Sequence, residues 1–223
     1  MVADSVYLTP SEWQAMATGI DFTDFEDADL EALIARASVL AETEANLPRT
    51  GSFLETEYEN EQHSWRPASR SVYLYNWPVV SVEEMRLRVT PTTTVDIPTT
   101  EVYINNTRHY IEVSYLAVLT GFGIAPELAN LGLMEPTIEV DYTAGYATIP
   151  QDIKEAVAMI ASMLLLSNKL FAEGTVGVVA FAIGSYQVSF ANNKMGGPAG
   201  LSELVPEQAR RILRGYNSGP YVR

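Results

Sequence analysis

Residues Val140 to Ala156, V-D-Y-T-A-G-Y-A-T-I-P-Q-D-I-K-E-A, constrain the fold more than any other stretch, because a strand pattern turns into a helix start within a few positions. Val140, Tyr142 and Ala144 alternate with Asp141 and Thr143, the period of a half-buried strand. Gly145 then supplies the freedom in φ that a sharp exit needs, so the strand is expected to stop there. Pro150 can occupy the first turn of a helix without losing a bonded N–H. Thr148 with Gln151 has capping-box spacing, and Ile149 as N-cap with Pro150 at N1 fits as an alternative. A strand–glycine–helix junction at Tyr142, Gly145, Tyr146 and Pro150 is therefore the structural centre of the reading.

Upstream, Thr9-Pro10-Ser11-Glu12 reads as a capping box opening a short helix that runs to about Ala17 and ends at Gly19. Leu30, Leu33, Ile34, Ala37, Leu40, Ala41 and Leu47 then recur at helical spacing, with Asp27 or Asp29 near the positive end of the helix dipole. Pro48 to Gly51 closes this region, and composition shifts towards Val, Tyr and Thr. Strands are expected near 53–61, 70–76, 82–89, 101–104, 109–116 and 137–144, with Asn105 to Arg108 as a hairpin tip and Thr120 to Pro136 as a long contact loop.

The helix from about Pro150 to Phe171 carries two apolar stripes. Ile153, Ala156, Val157, Ile160, Ala161 and Leu164 form one, and Met159, Met163, Leu166 and Leu170 form the other. Only a narrow polar strip through Gln151, Glu155, Ser162 and Lys169 remains. Such a helix must be covered on most sides, either as the central helix of its own chain or by a neighbouring subunit on the methionine stripe. Beyond it, Val176 to Ile183 and Tyr186 to Phe190 read as a hairpin, Asn192 to Gly200 as a flexible tail, and Pro206 to Gly215 as a last short helix. The expectation is an α+β fold: a helical segment 1–50, an inserted antiparallel β-rich subdomain 51–147, a long central helix and hairpin 148–191, and a C-terminal tail 192–223 with a short basic helix.

Charge narrows the choice of partner. The chain carries 28 acids against 14 bases, net −14. Residues 1–64 hold 14 acids and 2 bases, whereas residues 194–223 hold 2 acids and 5 bases. A duplex phosphate backbone would be repelled by most of this surface, since nucleic-acid binding rests on clustered Lys and Arg. The chain has no cysteine, which removes disulfides and thiolate metal sites. Its start lacks the basic and apolar regions of a signal peptide, and its longest apolar run, Ala156 to Leu166 broken only by Ser162, is too short to span a bilayer. A soluble chain without membrane contact is expected.

Signatures of catalysis are sparse. The histidines are His63 and His109, and no nucleophile elbow, zinc-protease helix or phosphate loop is present. Glu55, Glu57, Glu59, Glu61 and His63 alternate, so in a regular strand they would share one face at about 6.6 Å intervals, too far apart to converge on one cation. An exposed acidic face is the plainer reading, and no cofactor is expected. Arg210, Arg211 and Arg214, followed by Tyr216 and Tyr221, combine dipole-matched charge with residue types favoured at interfaces and suit an acidic protein partner.

The spacing of the Val140–Ala156 stretch resembles the head–tail connector, or adaptor, proteins of long-tailed bacteriophages and gene transfer agents. Two further stretches are similar: Leu74-Tyr75-Asn76-Trp77-Pro78-Val79-Val80-Ser81-Val82, and Ile183-Gly184-Ser185-Tyr186-Gln187-Val188-Ser189. The resemblance implies a non-enzymatic virion protein of the head–tail neck, assembled in the bacterial cytoplasm. It implies a ring, commonly of twelve subunits, between the portal protein and a stopper or tail-terminator protein, lining a passage for duplex DNA without gripping it. In that setting Met159, Met163, Leu166 and Leu170 would be the ring contact, and Arg210, Arg211, Arg214, Tyr216 and Tyr221 the portal-docking surface. The large β region departs from the shorter family members. Two other classes stay open: a β-rich carbohydrate- or receptor-binding virion module using Trp65, Trp77 and Tyr103, and a carboxylate or metal-dependent hydrolase built around His63.

Overall fold

Thr9 opens the first helix through a closed capping box, its Oγ1 accepting the Glu12 N–H at 3.2 Å while Glu12 Oε2 accepts the Thr9 N–H at 2.9 Å. In this computed structural model the described residues are 6–48, 51–64, 70–90, 93–114, 137–173, 180–183, 186–189 and 205–216. They form an α+β fold in two units, one drawn from Met1–Thr50 and Thr148–Asn217, the other from Gly51–Ala147.

The first unit is helical. Helix α1 (Pro10–Met16) buries Trp13 completely, and α2 (Asp27–Glu44) buries Leu30, Leu33, Ile34, Ala37, Ser38 and Ala41. The α2 end is finer than the expected Pro48 stop. Asn46 takes a left-handed φ of 55° and Leu47 donates back to the Glu42 carbonyl at 3.0 Å, so the last carbonyls are satisfied before Pro48 is reached. Helix α3 (Gln151–Glu173) packs against α1, α2 and a short C-terminal helix, α4 (Glu207–Arg214).

Every residue of α3 from Ala156 to Leu165 is buried, so α3 is the central helix of its unit. Ser162, expected on the polar strip, lies inside as well. Its Oγ accepts the Trp13 indole N–H at 2.9 Å, which satisfies two buried polar groups at once. The α3 start also differs from both expected caps. Pro150, not Thr148 or Ile149, is the flanking residue, its carbonyl accepting the Lys154 N–H at 3.2 Å. In the same unit β1 (Ala17–Thr18) pairs antiparallel with a strand at Ala180–Ile183, which pairs in turn with one at Tyr186–Ser189.

The second unit holds two antiparallel sheets. In the larger, β2 (Thr56–Ser64), β8 (Thr137–Ala144), β4 (Val79–Thr90) and β5 (Thr93–Asp96) lie side by side in that order. In the smaller, β7 (Tyr110–Val113) lies between β3 (Ser71–Val72) and β6 (Val102–Asn105). Ile138, Val140, Tyr142 and Ala144 of β8 join Met85, Leu87, Ile111 and Val113 in one core. Strand β5 follows Pro91 and was not expected. The β6–β7 turn is held from outside the hairpin: the Asn106 amide accepts the Val79 N–H at 2.9 Å and donates to the Val79 carbonyl at 3.0 Å. The left-handed residue of this turn is His109, φ 55°, rather than an asparagine.

Candidate functional site: the strand–helix junction and its polar cluster

Strand β8 is paired on both sides up to Ala144, which faces Thr56 and Val79. Gly145 then turns away with φ 116° and donates its N–H to the Pro78 carbonyl at 2.8 Å. A Cβ at this position would stand 2.4 Å from the Leu54 carbonyl oxygen and 2.8 Å from the Glu55 nitrogen, so backbone fills the space a side chain would need. Tyr146 completes the seam: its N–H donates to Phe53 O at 2.8 Å and its carbonyl accepts the Glu55 N–H at 3.2 Å. The chain then reaches Pro150 and α3. Each residue that carries the motif thus has a separate geometric task.

Tyr142 anchors a buried polar cluster. Its hydroxyl donates to Glu61 Oε1 at 2.8 Å and accepts from Asn76 Nδ2 at 3.1 Å, and its ring stacks on Tyr58 with centroids 5.2 Å apart. His63 Nε2 lies 2.7 Å from the same Glu61 oxygen. Asn76 Nδ2 also reaches Glu61 Oε2 at 3.3 Å. Burial, and after it the Glu61 charge, pushes the Tyr142 hydroxyl far above its ordinary pKa. It stays protonated and stays a donor.

This cluster corrects the reading of the acidic alternation. Between Tyr58 and Glu61, β2 takes three steps where β8 takes two, a β-bulge at Glu59 and Asn60. Asn60 sits at φ 53°, its N–H held by Asp141 Oδ1 at 2.6 Å and its side-chain oxygen by Arg86 at 3.0 Å. The extra residue flips the parity of the strand. Glu55, Glu57 and Glu59 are exposed, whereas Glu61 and His63 turn inward, His63 with only 4% of its side chain accessible. The five residues do not share a face. Among the described residues no group of three or more His, Asp or Glu is placed to hold a metal ion.

The other expected site residues are dispersed. Met159 and Met163 are buried by their own chain, which removes the reason for assigning them to a neighbour. Leu166 is half-buried, and the side chain of Leu170 lies outside the described residues. Arg210 is spent within the chain, its Nε 3.1 Å from Glu44 and its Nη1 3.2 Å from Glu207. Tyr216 donates to the Asp152 carboxylate. Arg211 and Arg214 are exposed, and Tyr221 lies outside the described residues. Helix α4 buries Ala209 and Leu213, so residues 205–216 are a docked element built on the short helix expected there. Of the aromatics suited to a binding module, Trp77 is buried against His109 and Trp65 lies outside the described residues. Tyr103 is 66% exposed. Besides strand β5, the sequence gives little sign of the Asn60 bulge, signalled only by an asparagine inside a strand pattern, or of the Trp13–Ser162 link, signalled by nothing local.

No family model matches the chain, and no curated protein matches it. Among solved structures, the neck of an empty GTA particle, computed with C6 symmetry, is similar over 95% of this chain and 92% of that chain, at 17% identity and a TM-score of 0.48. At that level of likeness no family membership follows.

Proposed function

We propose that this chain is a structural virion protein of the head–tail neck, a connector subunit that assembles into a ring between portal and tail around the passing DNA. The observation that carries the reading is the junction from Tyr142 to Pro150. The positions that give the sequence its connector resemblance are those the fold uses: Tyr142 locks the polar cluster, Gly145 admits the Leu54 backbone, Tyr146 pairs with residues 53–55, and Pro150 flanks α3. A motif whose members each have a geometric role reflects a shared way of joining strand to helix rather than composition.

The charge balance supports the same role. Fourteen excess negative charges per subunit, repeated around an axis, give a wall that repels duplex DNA and does not grip it. The ring would take its place by contacts to the portal ring on one side and to a stopper or tail-terminator protein on the other, with the C-terminal residues around Tyr221 as the portal-facing segment. Electron microscopy of the purified protein mixed with portal rings tests the reading. A ring of this chain stacked coaxially on the portal is expected. A monomeric or trimeric fibre component, or no association with portal at all, would overturn it.

A further inference from the structure

We propose that the exposed face of α4 docks on the acidic edge strand β2 of a second copy of this chain, Arg211 and Arg214 pairing with Glu55 and Glu57. The inference rests on the ring reading and names the contact that would close the ring.

Four described arginines, Arg36, Arg108, Arg211 and Arg214, make no ion pair among the described residues, whereas Arg86, Arg88 and Arg210 are all taken up by carboxylates of their own chain. Only α4 places two of the four one helical turn apart, where side chains stand about 5 to 6 Å from each other. Ala209 and Leu213 point α4 into its own unit, and Arg210 clamps it to Glu44, so Arg211 and Arg214 are presented by a helix that is already fixed. A pair of cations held in place loses less side-chain freedom on binding than a pair on a loose tail.

The complementary surface is present in the same molecule. Strand β2 is the edge of its sheet, with β8 on one side and no strand on the other among the described residues. Glu57 on β2 and Glu55, the residue before the strand begins, are exposed and two positions apart, about 6.6 Å where the chain is extended. That interval is close to the separation of the arginine pair. Acidic side chains on an edge strand also discourage strand addition, leaving the edge to a helix or to charge.

The partner has to be acidic, and this chain itself carries an acidic surface whose spacing fits. Helix on strand is a heterologous contact, one patch meeting a different one, and such contacts generate rings where the rotation between copies closes. Copies with a net charge of −14 repel one another at long range, so assembly needs a local contact of opposite sign. A single exposed pair contributes little, but the same contact repeated at every interface of a closed ring acts together.

The absence of native cysteine makes the test direct. Glu57→Cys is prepared in a tagged copy and Arg211→Cys in an untagged one, and the two are mixed under mild oxidation. A mixed disulfide at least tenfold more abundant than either same-site disulfide is expected, and equal yields of all three would overturn the contact. Independently, R211E/R214E and E55R/E57R should each lose self-association in sedimentation, and an equimolar mixture of the two should recover it. Reversed variants that still self-associate like the unaltered chain would overturn the inference while leaving the ring reading standing. If R211E/R214E self-associates but no longer joins portal, the arginines serve the portal and the inference fails. If the unaltered chain forms no ring with or without portal, it is the connector reading that fails.

Discussion

The Leu54 carbonyl oxygen lies 2.4 Å from the point where a Cβ on Gly145 would stand. The obstacle is backbone, fixed by hydrogen bonds at Phe53, Glu55 and Tyr146, so it cannot swing aside as a side-chain tip would. Gly145 also holds a φ of 116°, where residues with a Cβ are strained. Strain and displaced backbone act together. Gly145→Ala is expected to destabilise by about 2 to 5 kcal/mol, read from urea midpoints. Gly19→Ala is the control: its φ is 88°, but nothing lies within 4 Å of its Cβ position, so the cost should be no more than about 2 kcal/mol. Equal costs at the two glycines would mean that the Leu54 approach is relaxed.

Trp13 and Ser162 form a coupled pair. Trp13→Phe leaves the Ser162 hydroxyl without its indole donor, and Ser162→Ala leaves the indole N–H without its acceptor, both fully buried. Each single change should cost about 1 to 3 kcal/mol, and the double variant less than their sum. Strict additivity in a double-mutant cycle would show that the 2.9 Å contact carries no coupling energy.

Much of the α+β fold was legible in the sequence, and the failures have physical causes. Thr9 and Glu12 announce their helix because a capping box is local, closed within four residues. The alternation of Glu55 to His63 misled because a bulge is set by pairing with β8: Asn60 is displaced by the need to reach Asp141 and Arg86, residues far away in sequence. The methionine stripe on α3 shows that a face must be covered but not by what, and Met159 and Met163 proved to be covered from within the chain. Ser162 resembled a solvent-facing residue because its partner, Trp13, lies 149 positions away. Trp77 resembled an exposed anchor until the His109 ring stacked over it, centroids 5.4 Å apart.

Acid should weaken the link between α1 and α3 at a defined place. Glu12 is held down to about 2, first by the hydrogen bond from the Lys154 ammonium and then by the Thr9 N–H. A carboxyl with a depressed folded pKa contributes stability that is fully present above its unfolded value near 4.5 and is lost as pH falls from there towards 2. Glu12→Gln should therefore flatten part of the fall in urea midpoint between those pH values and leave the slope above pH 5 unchanged. Parallel pH profiles for the two proteins would mean that the solvent-facing third of this carboxylate dominates its behaviour.

Duplex DNA should not bind tightly at physiological salt. Of the described basic residues, Arg86, Arg88, Lys154 and Arg210 are neutralised within the chain, and the whole sequence carries 28 acids against 14 bases, so few cations are left to meet a phosphate backbone. Gel shifts with duplexes of mixed sequence should show no retarded band at micromolar protein. A tight complex that weakens steeply with added salt would remove the case for a repulsive passage.

On the connector reading proposed above, removing the last seven residues, 217–223, should separate portal docking from the packing of the C-terminal helix. A cut at residue 205 would strip Ala209 and Leu213 from the core and release the Arg210 clamp on Glu44, so its effects would be those of a damaged fold. A cut after Tyr216 keeps α4, keeps the Tyr216 contact with Asp152, and keeps Arg211 and Arg214 available to a sister copy. It removes Tyr221, Pro220 and Arg223, an aromatic, a proline and a cation of the kind that form small anchoring contacts. The shortened chain is expected to melt like the full chain and to retain any self-association, yet to lose co-sedimentation with portal rings by at least tenfold. Because the loss would repeat at every subunit of the proposed ring, even a weak anchor would give a large effect. A shortened chain that still joins portal places docking elsewhere on the molecule, with the exposed Tyr103 on β6 the first position to test by Tyr103→Ala.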